Sequence, residues 1–129
     1  MAQVKIYGLN KHLKAVHNTL SDTIHSCIVE ELSFPKEKKF HRFIGFDQEM
    51  MLFPNDKSEG YTIIEIMMIE GRQPETKKAL IKRLFKEIAI AVNIEPNDLE
   101  IVIIESPAVN WGFRGMSGDE MTRNYKIDV

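Results

Sequence analysis

Cysteine is almost absent from this sequence, because Cys27 is the only one among 129 residues. A lone cysteine excludes an internal disulfide and a cysteine-based zinc cluster. Cys27 falls on the apolar side of a predicted helix. We therefore expect it to be a small buried hydrophobic residue rather than a reactive thiol.

An excess of one charge sign and a long apolar run are also missing. The formal net charge is -2, with 17 basic and 19 acidic residues interspersed, so there is no basic stripe of the kind that binds nucleic acid. No apolar run approaches the roughly 18 residues of a membrane span, and the amino terminus lacks a signal pattern. We expect a cytoplasmic protein with no nucleic-acid and no membrane partner, folded as one domain over residues 1–129.

Motifs for cofactors and metals are missing as well. His12, His17 and His25 lie along the first predicted helix without i, i+4 pairing, and His41 lies in a predicted strand. This pattern indicates no metal site. The sequence has no Ser/His/Asp signature and no phosphate-binding glycine loop, so we expect no cofactor.

What the chain does contain is four stretches with strand patterning. They are residues 3–9, 40–46, 61–69 and 99–105, with weaker signals for short strands within 49–60 and at 125–129. The third and fourth are nearly continuous apolar runs, which is typical of strands buried on both faces.

Two stretches have helical spacing of their apolar residues. The first runs from Leu13 to Ile28, with Asn10 as its predicted N-cap and Pro35 as its stop. The second runs from Leu80 to Val92. Pro74 is predicted at its first helical position, with Glu75 favourable in the first turn, and Pro96 with Asn97 is predicted to close it.

The two halves of the chain, about 1–59 and 60–129, have the same order of strand, helix, proline turn and strand. Aligning Pro35 with Pro96 gives a shift of 61 residues, which takes Leu20 to Ile81. Chance can supply a shared order, but the aligned proline turns favour a duplication. Two tandem βαβ units predict an α/β (α+β) fold with one four-stranded mixed sheet and both helices on one face.

This layout leaves one face of the sheet bare. Apolar residues point to both faces in the third and fourth strands, so the bare face would associate; they are Ile63, Ile64, Ile66, Met67, Met68, Ile69 and residues 101–104. We expect an oligomer with closed symmetry, of which a trimer is the attractive form. The predicted strand at 125–129 would pair with a neighbour's sheet edge.

The tandem halves, the segment "YTIIEIMMIEGRQPETKKALIKRLFKEI" and the late "NWGFRG" resemble the tautomerase superfamily, whose fold is that of 4-oxalocrotonate tautomerase. Within it, the chain resembles the malonate semialdehyde decarboxylase branch. The resemblance spans nearly the whole chain. It implies a homotrimer with active sites at subunit interfaces, and isomerase or decarboxylase chemistry on a small carboxylate-bearing keto, enol or unsaturated acid.

The family's signature is a proline directly after the initiator methionine, and here that position is Ala2. Removal of Met1 would leave a primary amine with an ordinary pKa of about 7.7–8, which can act as a base near neutral pH. The resemblance therefore marks the Ala2 amine as a catalytic candidate. The alternative is that Ala2 is an ordinary strand start.

The decarboxylase branch has two arginines between strand and second helix that bind the substrate carboxylate. The matching positions are Glu70 and Arg72, so one arginine is replaced by an acid. Arg72 lies just before a helix amino terminus, which favours anions, and a guanidinium binds a carboxylate in bidentate fashion. The alternative is a salt bridge from Arg72 to Glu70 or Glu75.

The branch also has an aspartate shortly after the first helix. Its match is Lys38, and the adjacent Glu37 is a possible substitute. The alternative, which we favour, is a solvated run of charges. With the proline, one arginine and the aspartate all changed, the decarboxylase mechanism does not transfer intact.

The late loop matches better. Trp111 and Phe113 correspond to aromatic residues that wall the family's pocket, and Arg114 supplies a second cation. Such a wall excludes water and strengthens charge contacts. The alternative is that Trp111 is a structural plug at the subunit interface.

Three functions stay open at this point. The first is an enzyme in which Arg72 binds the carboxylate and the Ala2 amine, or an unidentified group, moves the proton. The second is a catalytically degenerate trimer that binds a small anion or a partner without turnover. The third is a purely structural assembly module.

Overall fold

A four-stranded mixed sheet forms the centre of the fold. In the computed structural model, which describes residues 2–121, the strands are β1 (Ala2–Leu9), β2 (His41–Phe46), β3 (Thr62–Ile69) and β4 (Leu99–Ser106). Their order is β2-β1-β3-β4, with β1 parallel to β2, β3 parallel to β4, and β1 antiparallel to β3. The predicted mixed sheet is confirmed.

Two helices, α1 (Asn10–Leu32) and α2 (Pro74–Val92), pack on each other and cover one face of this sheet. Apolar residues at three- and four-residue spacing place one stripe of each helix in the core. Along β1 and β3 buried and half-buried residues alternate, because only one face of the sheet meets the helices. Neither helix in residues 2–121 is long and apolar enough to cross a membrane.

The two halves correspond with a shift of 60 residues. The buried residues of α1 recur in α2 as follows: Leu20, Ile24 and Ile28 become Leu80, Leu84 and Ile88. The residues after the two helices, Ser33 and Asn93, share a left-handed conformation and are also 60 apart. The predicted shift of 61 was wrong by one, because Pro35 follows its cap by two residues and Pro96 follows its cap by three.

The predicted cap at Asn10 was wrong. The helix already begins at Asn10, so Leu9 occupies the N-cap position. No side chain makes a capping hydrogen bond at this helix end. Instead the Asn10 amide donates to Asp47 Oδ1 at 3.3 Å. The Asn10 side chain lies so close to Gly45 that a Cβ there would overlap Oδ1, and it therefore packs against β2.

Pro74 begins α2 as predicted, but both helices end before their prolines. Ser33 and Asn93 adopt left-handed backbone conformations with φ of 51° and 58°. Their N–H groups donate to the carbonyls of Val29 and Ala89, four residues back. This left-handed ending satisfies a helix carbonyl and turns the chain, so no proline is needed.

The sheet face opposite the helices is open in the single chain, and it carries apolar residues of β4 beside polar ones such as Lys5 and Glu65. Val102 and Ile104 are 46% and 42% exposed. The expectation that β3 and β4 are buried on both faces is therefore met on only one face. No strand forms in residues 49–60, where Leu52 is 90% exposed, and the strand predicted at 125–129 lies outside the described residues.

The packing of α2 in the core predicts how much stability is lost when one of its side chains is shortened. Leu84 is fully buried, so Leu84→Ala should lower the free energy of unfolding by about 2–5 kcal/mol. Ile90 on the same helix is 72% exposed, so Ile90→Ala should change it by less than about 0.5 kcal/mol. Urea denaturation at fixed protein concentration measures both, and equal effects would contradict this packing.

Candidate active site

One end of the sheet, called here the Ala2 end, collects chain segments that are far apart in sequence. Ala2 at the start of β1 pairs with Met68 near the end of β3, and Met68 pairs with Glu105 near the end of β4. The start of β2 lies at the same end, because the Val4 N–H donates to the Phe40 carbonyl at 2.9 Å.

The segments that carry the predicted site residues all start or finish at the Ala2 end. The start of β1 holds Ala2, and the loop before β2 holds Glu37 and Lys38. The loop between β3 and α2 holds Glu70 and Arg72. The segment after β4 holds Trp111, Phe113 and Arg114. The antiparallel pairing of β1 with β3 produces this convergence.

Arg72 is buried, with only 4% of its surface exposed. Its Nη1 donates to the Ile69 carbonyl at 3.3 Å, so the guanidinium lies against the end of β3. The Glu70 N–H donates to the Ser106 carbonyl at 2.9 Å, which ties the Arg72 loop to the end of β4. The α2 amino terminus follows directly, with no side-chain cap. The dipole of this helix end favours an anion beside the guanidinium.

Ala2 has little side chain to contribute. Its methyl group is 3% exposed and belongs to the hydrophobic core. Any chemistry at this position therefore belongs to its nitrogen, which becomes an amine only when Met1 is removed.

Glu37 and Lys38 lie in a tight turn before β2. The Lys38 N–H donates to the Pro35 carbonyl at 3.1 Å, Glu37 is exposed, and the neighbouring Lys39 pairs with Asp22 at 2.7 Å. This placement suits the solvated charge run better than a precise catalytic group, and the role of both residues stays a prediction.

An ion pair that sequence reasoning missed lies at the same end. Lys77, in the first turns of α2, donates to Glu105 Oε1 at 2.7 Å, and the two side chains are only 27% and 20% exposed. Glu105 Oε2 is buried and has no hydrogen-bond partner in the described part of the chain. The alternation along β4 could have predicted this position of Glu105. Leu99 and Ile101 face the helices, and Glu105 is on the same side because it is also at an odd-numbered position.

The glycine-rich segment folds into a small hairpin, β5 (Gly112–Phe113) and β6 (Met116–Ser117). Its two turn residues, Arg114 and Gly115, have φ of 55° and 81°. Positive φ at both positions is the type I′ turn preferred by two-residue hairpins. The turn holds Arg114 at the exposed tip, in a conformation that costs a non-glycine residue about 1–2 kcal/mol.

Trp111 precedes this hairpin and is partly buried, as is Phe113. The Trp111 carbonyl accepts the Gly118 N–H at 2.7 Å, which closes the segment on itself. The indole Nε1 is buried without a hydrogen-bond partner among residues 2–121. A buried indole N–H normally has an acceptor. This one is consistent with either the pocket wall or the interface plug of the sequence analysis.

Two titratable groups near α1, His41 and Cys27, are uncharged near neutral pH. Burial, helped by His25 and Lys39, lowers the pKa of His41 to about 4, and Ser21 Oγ lies 2.8 Å from its Nδ1. Burial raises the pKa of Cys27 to about 11, so the thiol stays protonated as expected for a core residue. Among the described residues, no three His, Cys, Asp or Glu side chains could hold a metal ion.

Gly118 sets the position of the tryptophan. A Cβ at this residue would lie 2.6 Å from the Ala108 carbonyl oxygen and 3.2 Å from Trp111 Cβ. Gly118→Ala should therefore displace Trp111, whereas Gly112→Ala should not, because nothing lies within 4 Å of a Cβ there. Trp111 is the only tryptophan, so its fluorescence maximum reports on this segment alone. We expect a red shift for Gly118→Ala and none for Gly112→Ala; identical spectra would refute this close contact.

Comparison with solved structures supports the fold. A malonate semialdehyde decarboxylase has a TM-score of 0.79 at 16% identity, covering 91% of this chain and 94% of that chain. A native fused 4-OT has a TM-score of 0.81 at 18% identity, covering 94% and 99%. At these identities the likeness shows the fold alone.

Sequence comparison gives the family. The 2-hydroxymuconate tautomerases of Comamonas testosteroni and Pseudomonas putida are each 36% identical over 59 residues, which is 46% of this chain and 94% of theirs. The matched length is about that of one half of the pseudo-repeat. The model of the family described as "Tautomerase enzyme" matches residues 38–114, which includes the Arg72 loop and Trp111. This chain therefore belongs to the tautomerase family.

Proposed function

We propose that the protein is an enzyme that isomerises a small carboxylate-bearing keto or enol acid at the Ala2 end of the sheet. The observation that carries the proposal is the buried Arg72 guanidinium, held by Nη1 against the end of β3 and next to an uncapped helix amino terminus. A guanidinium presents a planar fork of donors that binds a carboxylate in bidentate fashion, so a substrate carboxylate suits this position. The relatives named 2-hydroxymuconate tautomerase support this substrate class.

Each candidate residue takes a role in this proposal. Arg72 binds the carboxylate, and Arg114 at the hairpin tip adds a second cation. Trp111 and Phe113 enclose the substrate and exclude water, which strengthens the charge contacts inside. The proton moves through the Ala2 amine after removal of Met1, or through a second group at the same end.

Two positions favour isomerisation over the decarboxylase chemistry of the structural neighbour. Glu70 replaces one of the two arginines of the decarboxylase branch, so this site has one cation fewer for binding a substrate carboxylate. After removal of Met1, Ala2 offers a primary amine in place of a proline, and such an amine can act as a base near neutral pH. A base that removes and returns one proton is enough for a keto–enol conversion.

A second candidate is a degenerate member that binds a small anion without turnover. The observation that favours it is the same pair of replacements, Ala2 and Glu70, since both remove groups that the resemblance makes catalytic. Such a protein would show a rise in melting temperature with a small carboxylate but no conversion of it.

The open sheet face supports a homotrimer, which we propose as the working form in the cytoplasm. Val102 and Ile104 lie exposed side by side on this face, where a second chain would bury them. A fused 4-OT of the same fold, with a TM-score of 0.77, is a symmetric trimer. In this assembly the three sheets enclose a common apolar core, and sites at the Ala2 end lie near neighbouring chains.

Arg72 gives the test of activity. With phenylenolpyruvate or 2-hydroxymuconate, and with Met1 removal verified by intact mass, the wild type should ketonise the substrate above the buffer rate. Arg72→Ala should lower kcat/KM about 10- to 150-fold, the equivalent of a charge-assisted hydrogen bond of about 1.5–3 kcal/mol.

Arg83 is the matched control for that experiment. It is exposed on α2 and pairs with Glu31 at 2.7 Å on the helix surface, away from the Ala2 end. Arg83→Ala should keep the wild-type rate. A wild type no faster than buffer, or an Arg72→Ala variant equal to Arg83→Ala, would rule out the proposed enzyme.

Ile104 tests the assembly. A charge at this exposed position of the open sheet face should break the trimer, so Ile104→Asp should sediment as a smaller species than wild type. Ile90→Asp places the same charge on a 72% exposed helix position and should keep the trimer. Sedimentation velocity distinguishes these outcomes, and a monomeric wild type would contradict the proposed assembly.

A further inference from the structure

The carboxylate of Glu105 has an arrangement that its ion pair does not explain. Lys77 fixes Oε1 at 2.7 Å, whereas Oε2 is buried and accepts no hydrogen bond from the described residues. Buried acceptors without donors are rare in native proteins, and each one calls for a ligand, a water or a catalytic role.

The position of Glu105 points to the ligand. Ile69, whose carbonyl accepts from Arg72 Nη1, pairs with Ser106, the residue after Glu105. The guanidinium and the carboxylate thus belong to the ends of adjacent strands, which run about 5 Å apart. Lys77 reaches in from α2, so two cations and one carboxylate meet at this end of the sheet.

We propose that Glu105 is the group that carries the proton in the isomerisation proposed above, on which this inference rests. With the substrate carboxylate on Arg72, Oε2 takes the proton of the enol hydroxyl, and the oxygen electron pair forms the C=O bond. The electron pair of the C=C bond then takes the proton back from Glu105 at carbon. The carboxylate is regenerated, and no oxidant, reductant or second reactant is consumed.

Two features prepare Glu105 for this step. Its contact with Lys77 holds the carboxylate at this end of the sheet before the substrate binds. The side chain keeps 20% exposure, and the terminal torsion of a glutamate is soft, so a small rotation presents Oε2 to the substrate. Glu70, another acid at this end, is exposed to solvent.

The first test replaces the carboxylate at constant shape. Glu105→Gln should lower kcat for phenylenolpyruvate ketonisation at least 100-fold, the lower range for loss of a general base, and remove the acidic limb of the pH–rate profile. Glu95→Gln, at an exposed position before the opposite end of β4, should keep the wild-type rate and profile. Melting temperatures check that all variants fold.

The Lys77→Met variant distinguishes a proton-transfer role of Glu105 from a structural role. It breaks the ion pair between Lys77 and Glu105 but keeps the Glu105 carboxylate. We expect this variant to retain kcat within about 10-fold, because the group that carries the proton is still present. A loss in Lys77→Met as large as in Glu105→Gln would reduce Glu105 to a structural residue and overturn the inference.

The outcomes distinguish this inference from the proposed function. Arg72-dependent turnover that survives Glu105→Gln overturns only the role of Glu105. Absence of turnover in the wild type overturns both. Retention of Met1, read by intact mass, should leave the activity in place; activity that requires Met1 removal and ignores Glu105→Gln would assign the proton to the Ala2 amine.

Discussion

The antiparallel pairing of β1 with β3 is the interaction on which the rest of the structure depends. It sets Val4 opposite Ile66 and Ala2 opposite Met68, so two similar βαβ units share one sheet. The same pairing brings the start of the chain beside the end of β3 and the start of α2. Without it, Arg72 and Ala2 would not lie at the same end of one sheet.

Much of the fold could be predicted because hydrophobic periodicity is a strong and local signal. The alternation in β1 and β3 and the helical stripe through Leu20 and Leu84 are each readable within about ten residues. The bare sheet face also followed from composition, since β4 is apolar at Val102 and Ile104 where the helices cannot reach. Pattern and packing agree in these elements.

The failures concern backbone geometry and contacts between distant segments. The repeat was misaligned by one because proline was used as the marker, whereas the left-handed Ser33 and Asn93 are what end the helices. Asn10 was taken for a cap because its contact with Gly45 is 35 residues away in sequence. Glu105 was missed because its importance comes from an oxygen left without a partner, which no sequence pattern expresses.

The central claim is that a small carboxylate binds at Arg72 within a pocket that Trp111 helps to wall. Trp111 is the only tryptophan, so its indole N–H gives a single resolved resonance in a nitrogen-15 spectrum. Titration with malonate should shift that resonance saturably in the wild type and leave it unmoved in Arg72→Ala. A resonance that stays fixed in the wild type, or that moves equally without Arg72, would contradict the account.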